Sequence, residues 1–182
     1  MNVGVLAEAA FSSGVEVVSF WWGSPANLRK RSAQEVIDIV GALREWLAGE
    51  AMAILSRSEA SFEVVGAWER DCPMLGAAPA GEGRRRLVCL MAYDGREEIE
   101  VASRRAAAAG NAGEIAPHLW TAHLPPVDLV IRTGGESHLS AGFMLWQIAE
   151  ARLAFLSEMW PALTPDRLRD VLASQPDRRF GA

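Results

Sequence analysis

No stretch of the 182-residue sequence comes near the roughly 18 to 20 consecutive apolar residues that a membrane-spanning helix needs. A helix crossing a bilayer is therefore excluded, while peripheral contact with a membrane stays open. Cysteine is scarce: Cys72 and Cys89 are the only two, and they form neither a zinc-ligand spacing nor a redox pair. With no secretory pattern either, the sequence reads as that of a cytoplasmic protein with two inert thiols. A basic excess is also missing. The 23 acidic residues outnumber the 18 Lys and Arg, the formal net charge is −5, and the arginines fall in short local groups, which excludes a nucleic-acid surface. There are no internal repeats, and the one biased stretch, residues 76–83, reads as a flexible loop.

What is present is a chain half hydrophobic and 23% charged, enough for one good core and so for a single domain over residues 1–182. Runs rich in β-branched and aromatic residues predict strands at 14–22, 61–68, 86–92 and 127–131. Apolar residues at helical spacing predict helices at 2–11, 33–55, 95–109, 143–156 and 165–173. Their alternation implies an α/β fold, a mostly parallel sheet flanked by helices. The opening is unusual, because helix 2–11 enters the first strand with no strand before it. Either the chain starts inside a strand–helix–strand unit, or further residues belong ahead of it. Most of the seven tryptophans are expected in the core.

The sharpest local signal is Asp128-Leu129-Val130-Ile131-Arg132-Thr133-Gly134-Gly135-Glu136, an apolar strand that runs into an arginine and a glycine pair. In an open α/β sheet, ligands bind beyond the carboxyl ends of strands. Glycines let the backbone come close to an anion, and an arginine offers a fork of donors matched to phosphate oxygens, so a diphosphate fits the loop. The alternative is a glycine turn carrying a surface arginine. His118 and His123 flank Trp120 and read as loop residues, and Arg84, Arg85 and Arg86 read as a solvated strand entry.

Residues 125–160, with Gly142-Phe143-Met144-Leu145-Trp146-Gln147 inside them, resemble the C-terminal signature of the cis-prenyltransferase (undecaprenyl diphosphate synthase) family. Ala92-Tyr93-Asp94-Gly95-Arg96 is similar to the family's Asn-Tyr-Gly-Gly-Arg block. Arg31-Ser32 stands where the family has an Arg-Pro pair opening a helix, and Arg179-Phe180-Gly181 matches its terminal Arg-x-Gly. The resemblance implies condensation of isopentenyl diphosphate with an allylic diphosphate, with Mg2+ held between diphosphate and carboxylates. It implies that Arg132 and Ser140 bind isopentenyl diphosphate, that Gly134 and Gly135 shape the pocket, and that Arg31 binds an anion. Arg179 and Gly181 would reach across a dimer interface to a partner's diphosphate.

Departures from that pattern shape the functional expectation. The family's strand with its Asp-Gly-Asn-Gly-Arg loop, which holds the metal-binding aspartate, has no counterpart here. The second diphosphate arginine falls on His138, which is mostly uncharged at neutral pH. The metal-site glutamate falls on Arg152, and on the predicted helix Glu150 points to a different face. Ser24-Pro25-Ala26-Asn27-Leu28-Arg29 replaces the polar segment near the reacting carbons. The resemblance is thus to an accessory subunit of the Nogo-B-receptor kind. Such a subunit supplies diphosphate-binding residues and its tail to a catalytic cis-prenyltransferase partner in a heterodimer, and that partner holds most of the Mg2+. A self-sufficient divergent prenyl diphosphate synthase or cyclase, or a homologue that only binds prenyl lipids, are the other readings.

Overall fold

The computed structural model describes residues 2–76 and 83–174. In chain order the elements are α1 (Asn2–Ser12), β1 (Val17–Gly23), α2 (Pro25–Arg29), α3 (Ala33–Trp46), a π-helical turn (Leu47–Ala51), α4 (Met52–Arg57), β2 (Ala60–Val65), α5 (Trp68–Asp71), β3 (Arg85–Met91), α6 (Gly95–Ala108), β4 (Leu129–Arg132), β5 (Arg152–Phe155) and α7 (Pro165–Ala173). The helices start where side chains satisfy their free amides. Ser32 and Glu35 form a reciprocal capping box on α3, Asp94 accepts from the amides of Arg96 and Glu97 at α6, and Thr164 caps α7 ahead of Pro165.

β1, β3 and β2 pair in parallel in that order, which makes β3 the middle strand. Leu87, Val88, Cys89, Leu90 and Met91 have no exposed surface, so both faces of β3 are covered and its sequence is an unbroken apolar run. One face packs on α1, α3 and α4 through Phe11, Val40, Leu43 and Leu55. The π turn falls inside the predicted helix 33–55 and leaves Val40, Leu43, Leu47, Ala51 and Leu55 all on the core. Trp46 stands edge-on to Phe20 and Phe62, with centroids 6.4 and 6.2 Å away. Trp146 and Trp160, by contrast, are exposed at 44% and 41%, so the expectation of a core role fails at these two. Both cysteines are buried, and burial pushes their thiols up, away from the reactive thiolate form.

β4 and β5 form a second parallel pair. Among the described residues no ladder joins β4 to β1, yet the two sheets share side-chain clusters. Val18 of β1 packs with Leu129, Ile131 and Ala154 beside α1 and α7, and Val17 and Trp21 pack with Val127, Phe143 and Met144. The predicted helix over 143–156 is corrected here: residues 141–150 are a run of turns and 152–155 are β5. Ala141, Gly142 and Met144 have φ of 49°, 57° and 43°, left-handed values that a right-handed helix cannot contain. The helical spacing of Phe143, Met144 and Ile148 arises because the turn wraps these residues onto one cluster, not from helical rise.

Candidate functional site

Arg132 is the last residue of β4, and the loop beyond it folds back over its guanidinium. Nε donates to Glu136 O at 3.1 Å, Nη2 to Glu136 Oε2 at 2.9 Å and Nη1 to Ser140 Oγ at 2.7 Å. His138 Nδ1 lies 3.5 Å from the same Glu136 oxygen. The sequence-predicted residues Arg132, His138 and Ser140 are therefore brought together at a strand's carboxyl end, around an arginine side chain that is 22% exposed. Gly134 and Gly135 have φ of 96° and 76°, and their amides donate to Glu158 O and Leu156 O at 2.8 and 2.9 Å. Those amides are committed to tying the loop to the chain after β5. The glycines contribute the left-handed turn that only they adopt without strain.

Other expected residues fall elsewhere. Arg31 sits on the turn between α2 and α3, 3.9 Å from Glu35, and the structure does not bring it into the Arg132 cluster. Arg179 and Gly181 lie outside the described residues. Arg152, expected at the metal position of the same site, pairs with Leu129 at the amino end of β5, whereas Arg132 pairs with Phe155 at the carboxyl end. Three residues of strand separate the two ends, about 10 Å. Glu150 belongs to the turn before β5, so the helix-face argument for it no longer applies.

The donor set at this site does not fit a divalent cation. Glu136 is held by Arg132, and Glu158 by Arg167 at 2.8 Å, an arrangement in which its own backbone amide and that guanidinium hold its carboxyl below the usual range. Among the described residues no three acidic, histidine or cysteine side chains gather to ligate a metal.

Sequence reasoning missed a buried polar network behind the loop. Glu98 on α6 is 1% exposed, and its carboxylate accepts from the Tyr93 hydroxyl, from Thr121 N at 2.8 Å and from Thr121 Oγ1 at 2.6 Å. Gln147 Nε2 donates to Thr121 O at 3.3 Å, and Gln147 O accepts from Val127 N, which leads into β4. A Glu four residues beyond a helix cap looks like surface, and the one available signal was Tyr93 at the end of an apolar run. A second missed feature is an open cleft of about 520 Å³ at the carboxyl ends of β1, β3 and β2, where Arg29, Arg70, Arg96 and Arg104 face Asp71 and Glu97. Arg70 donates to both acids, and its guanidinium holds the Asp71 carboxyl below the usual carboxylate range.

Burial, and then the Glu98 carboxylate, push the Tyr93 hydroxyl well above its ordinary value. A phenol whose folded value is raised contributes stability that is complete below its unfolded value of about 10 and is lost as the pH climbs toward the folded one. Tyr93 is the only tyrosine. Tyrosinate absorbance is thus expected only together with loss of the far-ultraviolet helix signal in an alkaline titration. Tyrosinate formed at about pH 10 with the helices intact would contradict the buried placement.

Comparison with known proteins gives concordant results. A family model described as "Putative undecaprenyl diphosphate synthase" matches residues 2–181. An isoprenyl transferase of Zymomonas mobilis is 33% identical over 198 residues, covering 98% of this chain and 79% of that protein. A ditrans,polycis-undecaprenyl-diphosphate synthase ((2E,6E)-farnesyl-diphosphate specific) of Pseudomonas putida is 34% identical, covering 98% and 78%. Among solved structures, lavandulyl diphosphate synthase from Lavandula x intermedia in complex with dimethylallyl diphosphate superposes with a TM-score of 0.80 at 26% identity, over 95% of this chain and 81% of that one. A probable undecaprenyl diphosphate synthase from Campylobacter jejuni, at 21% identity and a TM-score of 0.75, shares the fold.

Proposed function

Because the chain belongs to the undecaprenyl diphosphate synthase family of prenyltransferases, we propose that its Arg132–Ser140 cluster binds the diphosphate of isopentenyl diphosphate, and that it is the diphosphate-binding half of a heteromeric cis-prenyltransferase. The observation that carries this reading is the Arg132 fork, aimed past the end of β4 with Ser140 Oγ 2.7 Å away. An entering diphosphate competes with the exposed Glu136 carboxylate for the guanidinium and takes a further bond from the Ser140 hydroxyl. This holds the substrate while its double bond attacks the first carbon of the allylic diphosphate, inorganic diphosphate leaves and a proton is lost. In this reading the carboxylates for Mg2+ come from a catalytic partner subunit, since among the described residues Glu136 is joined by no second and third ligand. The Arg179 to Gly181 tail reaches that partner's diphosphate.

A second reading, the stand-alone enzyme, is supported by the relatives: two proteins matching 98% of this chain are named as an isoprenyl transferase and an undecaprenyl-diphosphate synthase. One assay separates the two. The chain purified alone, given Mg2+, isopentenyl diphosphate and farnesyl diphosphate, is expected to turn over far below the roughly 1 per second of ordinary enzymes. Turnover is expected to rise when a catalytic cis-prenyltransferase chain is co-purified with it. Deleting residues 179–182 is expected to lower the turnover of that complex and leave the melting temperature of this chain unchanged. Full turnover by the single chain rejects the heteromer and establishes the stand-alone enzyme.

A further inference from the structure

Gly95, the first residue of α6, meets the loop that carries Ser140. Its amide donates to Ala141 O at 3.1 Å, and a Cβ built on it would stand 1.9 Å from Gly142 O, far inside contact distance. The α6 side of this contact is rigid. Asp94 caps the helix, Tyr93 is fully buried, and Glu98 one turn on is fixed by three donors. On the loop side, Ala141 and Met144 hold left-handed backbone conformations that persist only where the surroundings impose them. Ser140 directly precedes this strained stretch, and its hydroxyl accepts from Arg132 Nη1.

We propose that Gly95 is a positioning residue for anion binding: its missing side chain lets the 140–142 loop seat on the amino end of α6, which places Ser140 and, through it, the Arg132 fork. In its ligand the proposal rests on the reading that this cluster takes isopentenyl diphosphate. In its mechanics it rests only on the contacts above. An alanine at 95 lifts the loop off the helix, and the chain between 132 and 140 is short enough that the displacement reaches the guanidinium. A shift of this kind, with no atom of residue 95 touching the ligand, weakens one charge-assisted contact.

The test uses the full chain in solution. Gly95→Ala is expected to weaken isopentenyl diphosphate binding about tenfold by calorimetry, the loss of one such contact. Gly83→Ala is the control. It forces an overlap of similar severity, 2.1 Å from Glu59 O, at the amino end of β3, so it lowers the melting temperature and leaves binding unchanged. In the Ser140→Ala background, Gly95→Ala is expected to add less than it costs alone, since both act through Ser140. Fully additive losses, or equal losses from Gly95→Ala and Gly83→Ala, overturn the proposal. A ligand-free readout is the nuclear magnetic resonance of Arg132 Nε–H, which should move in Gly95→Ala and stay in place in Gly83→Ala. If the parent chain binds no isopentenyl diphosphate, the functional reading fails and this resonance alone decides on the seat. Should Gly95→Ala not fold, Asp94→Ala loosens the same turn without an overlap and is expected to move the same resonance. An unmoved resonance rejects the proposal.

Discussion

Arg132→Ala is expected to weaken isopentenyl diphosphate binding by about 100-fold or more, the loss of two charge-assisted hydrogen bonds at roughly 1.5 kcal/mol or above each. Arg132→Lys keeps the charge and still loses about tenfold, because an ammonium cannot span Ser140 and a diphosphate as the planar fork does. The fold is expected to survive both changes within about 1 kcal/mol, since the main ion-pair partner, Glu136, is an exposed side chain. Glu136→Gln is expected to act in the opposite direction and tighten binding a few-fold, because it removes the charge that competes with the diphosphate. Calorimetric titration with thermal unfolding on the same samples checks all three. Parental affinity in Arg132→Ala, or no gain in Glu136→Gln, would remove Arg132 as the diphosphate clamp.

The parts of this site that were legible in the sequence are those where local chemistry and tertiary position agree. β4 ends where the apolar run meets Arg132, and the glycine pair marks a turn that only glycine makes cheaply, so strand and loop both follow from adjacent residues. β3 was legible because it is covered on both faces, and a strand buried on both faces carries apolar residues at every position instead of every second one. β5 was not. Its inward Ala154 and its exposed Leu153 and Phe155 alternate as a strand should, but over only four positions. The apolar turn just before it extended the apparent helical period across both. That misreading put Glu150 and Arg152 on one helix, whereas Arg152 opens β5 and Glu150 lies in the turn before it. The glycine amides were misassigned for a related reason: a sequence shows that the backbone can approach an anion there, but not that Leu156 and Glu158 already occupy those donors. Glu98 was invisible because burial of a carboxylate depends on Tyr93 and Thr121, which converge on it from a strand end and a distant loop.

Glu98→Ala is expected to lower the unfolding free energy by about 3 to 5 kcal/mol, the upper end for single substitutions, reached by breaking a buried hydrogen-bond network. The deletion strands three donors that face no water: the Tyr93 hydroxyl, Thr121 N and Thr121 Oγ1. Each buried unsatisfied donor costs about 1 to 3 kcal/mol, less whatever relaxation restores. Glu98→Gln is expected to cost only about 1 to 2 kcal/mol, because the amide oxygen still accepts from Thr121 and the amide nitrogen can donate to the Tyr93 oxygen. The ordering of the two variants is therefore the discriminating result, and denaturant unfolding measures it. The loss should not stop at stability. Thr121 O holds Gln147, Gln147 O holds Val127, and Val127 leads into the strand that ends at Arg132, so the network ties α6 to the base of the Arg132 cluster. Below the unfolding transition, Glu98→Ala is expected to speed amide exchange at Val127 and Thr121 while leaving Val88 on β3 protected. A cost under about 1 kcal/mol, or faster exchange spread evenly through both sheets, would show that packing around Tyr93 and Met144 sets the position of this helix, and not the carboxylate.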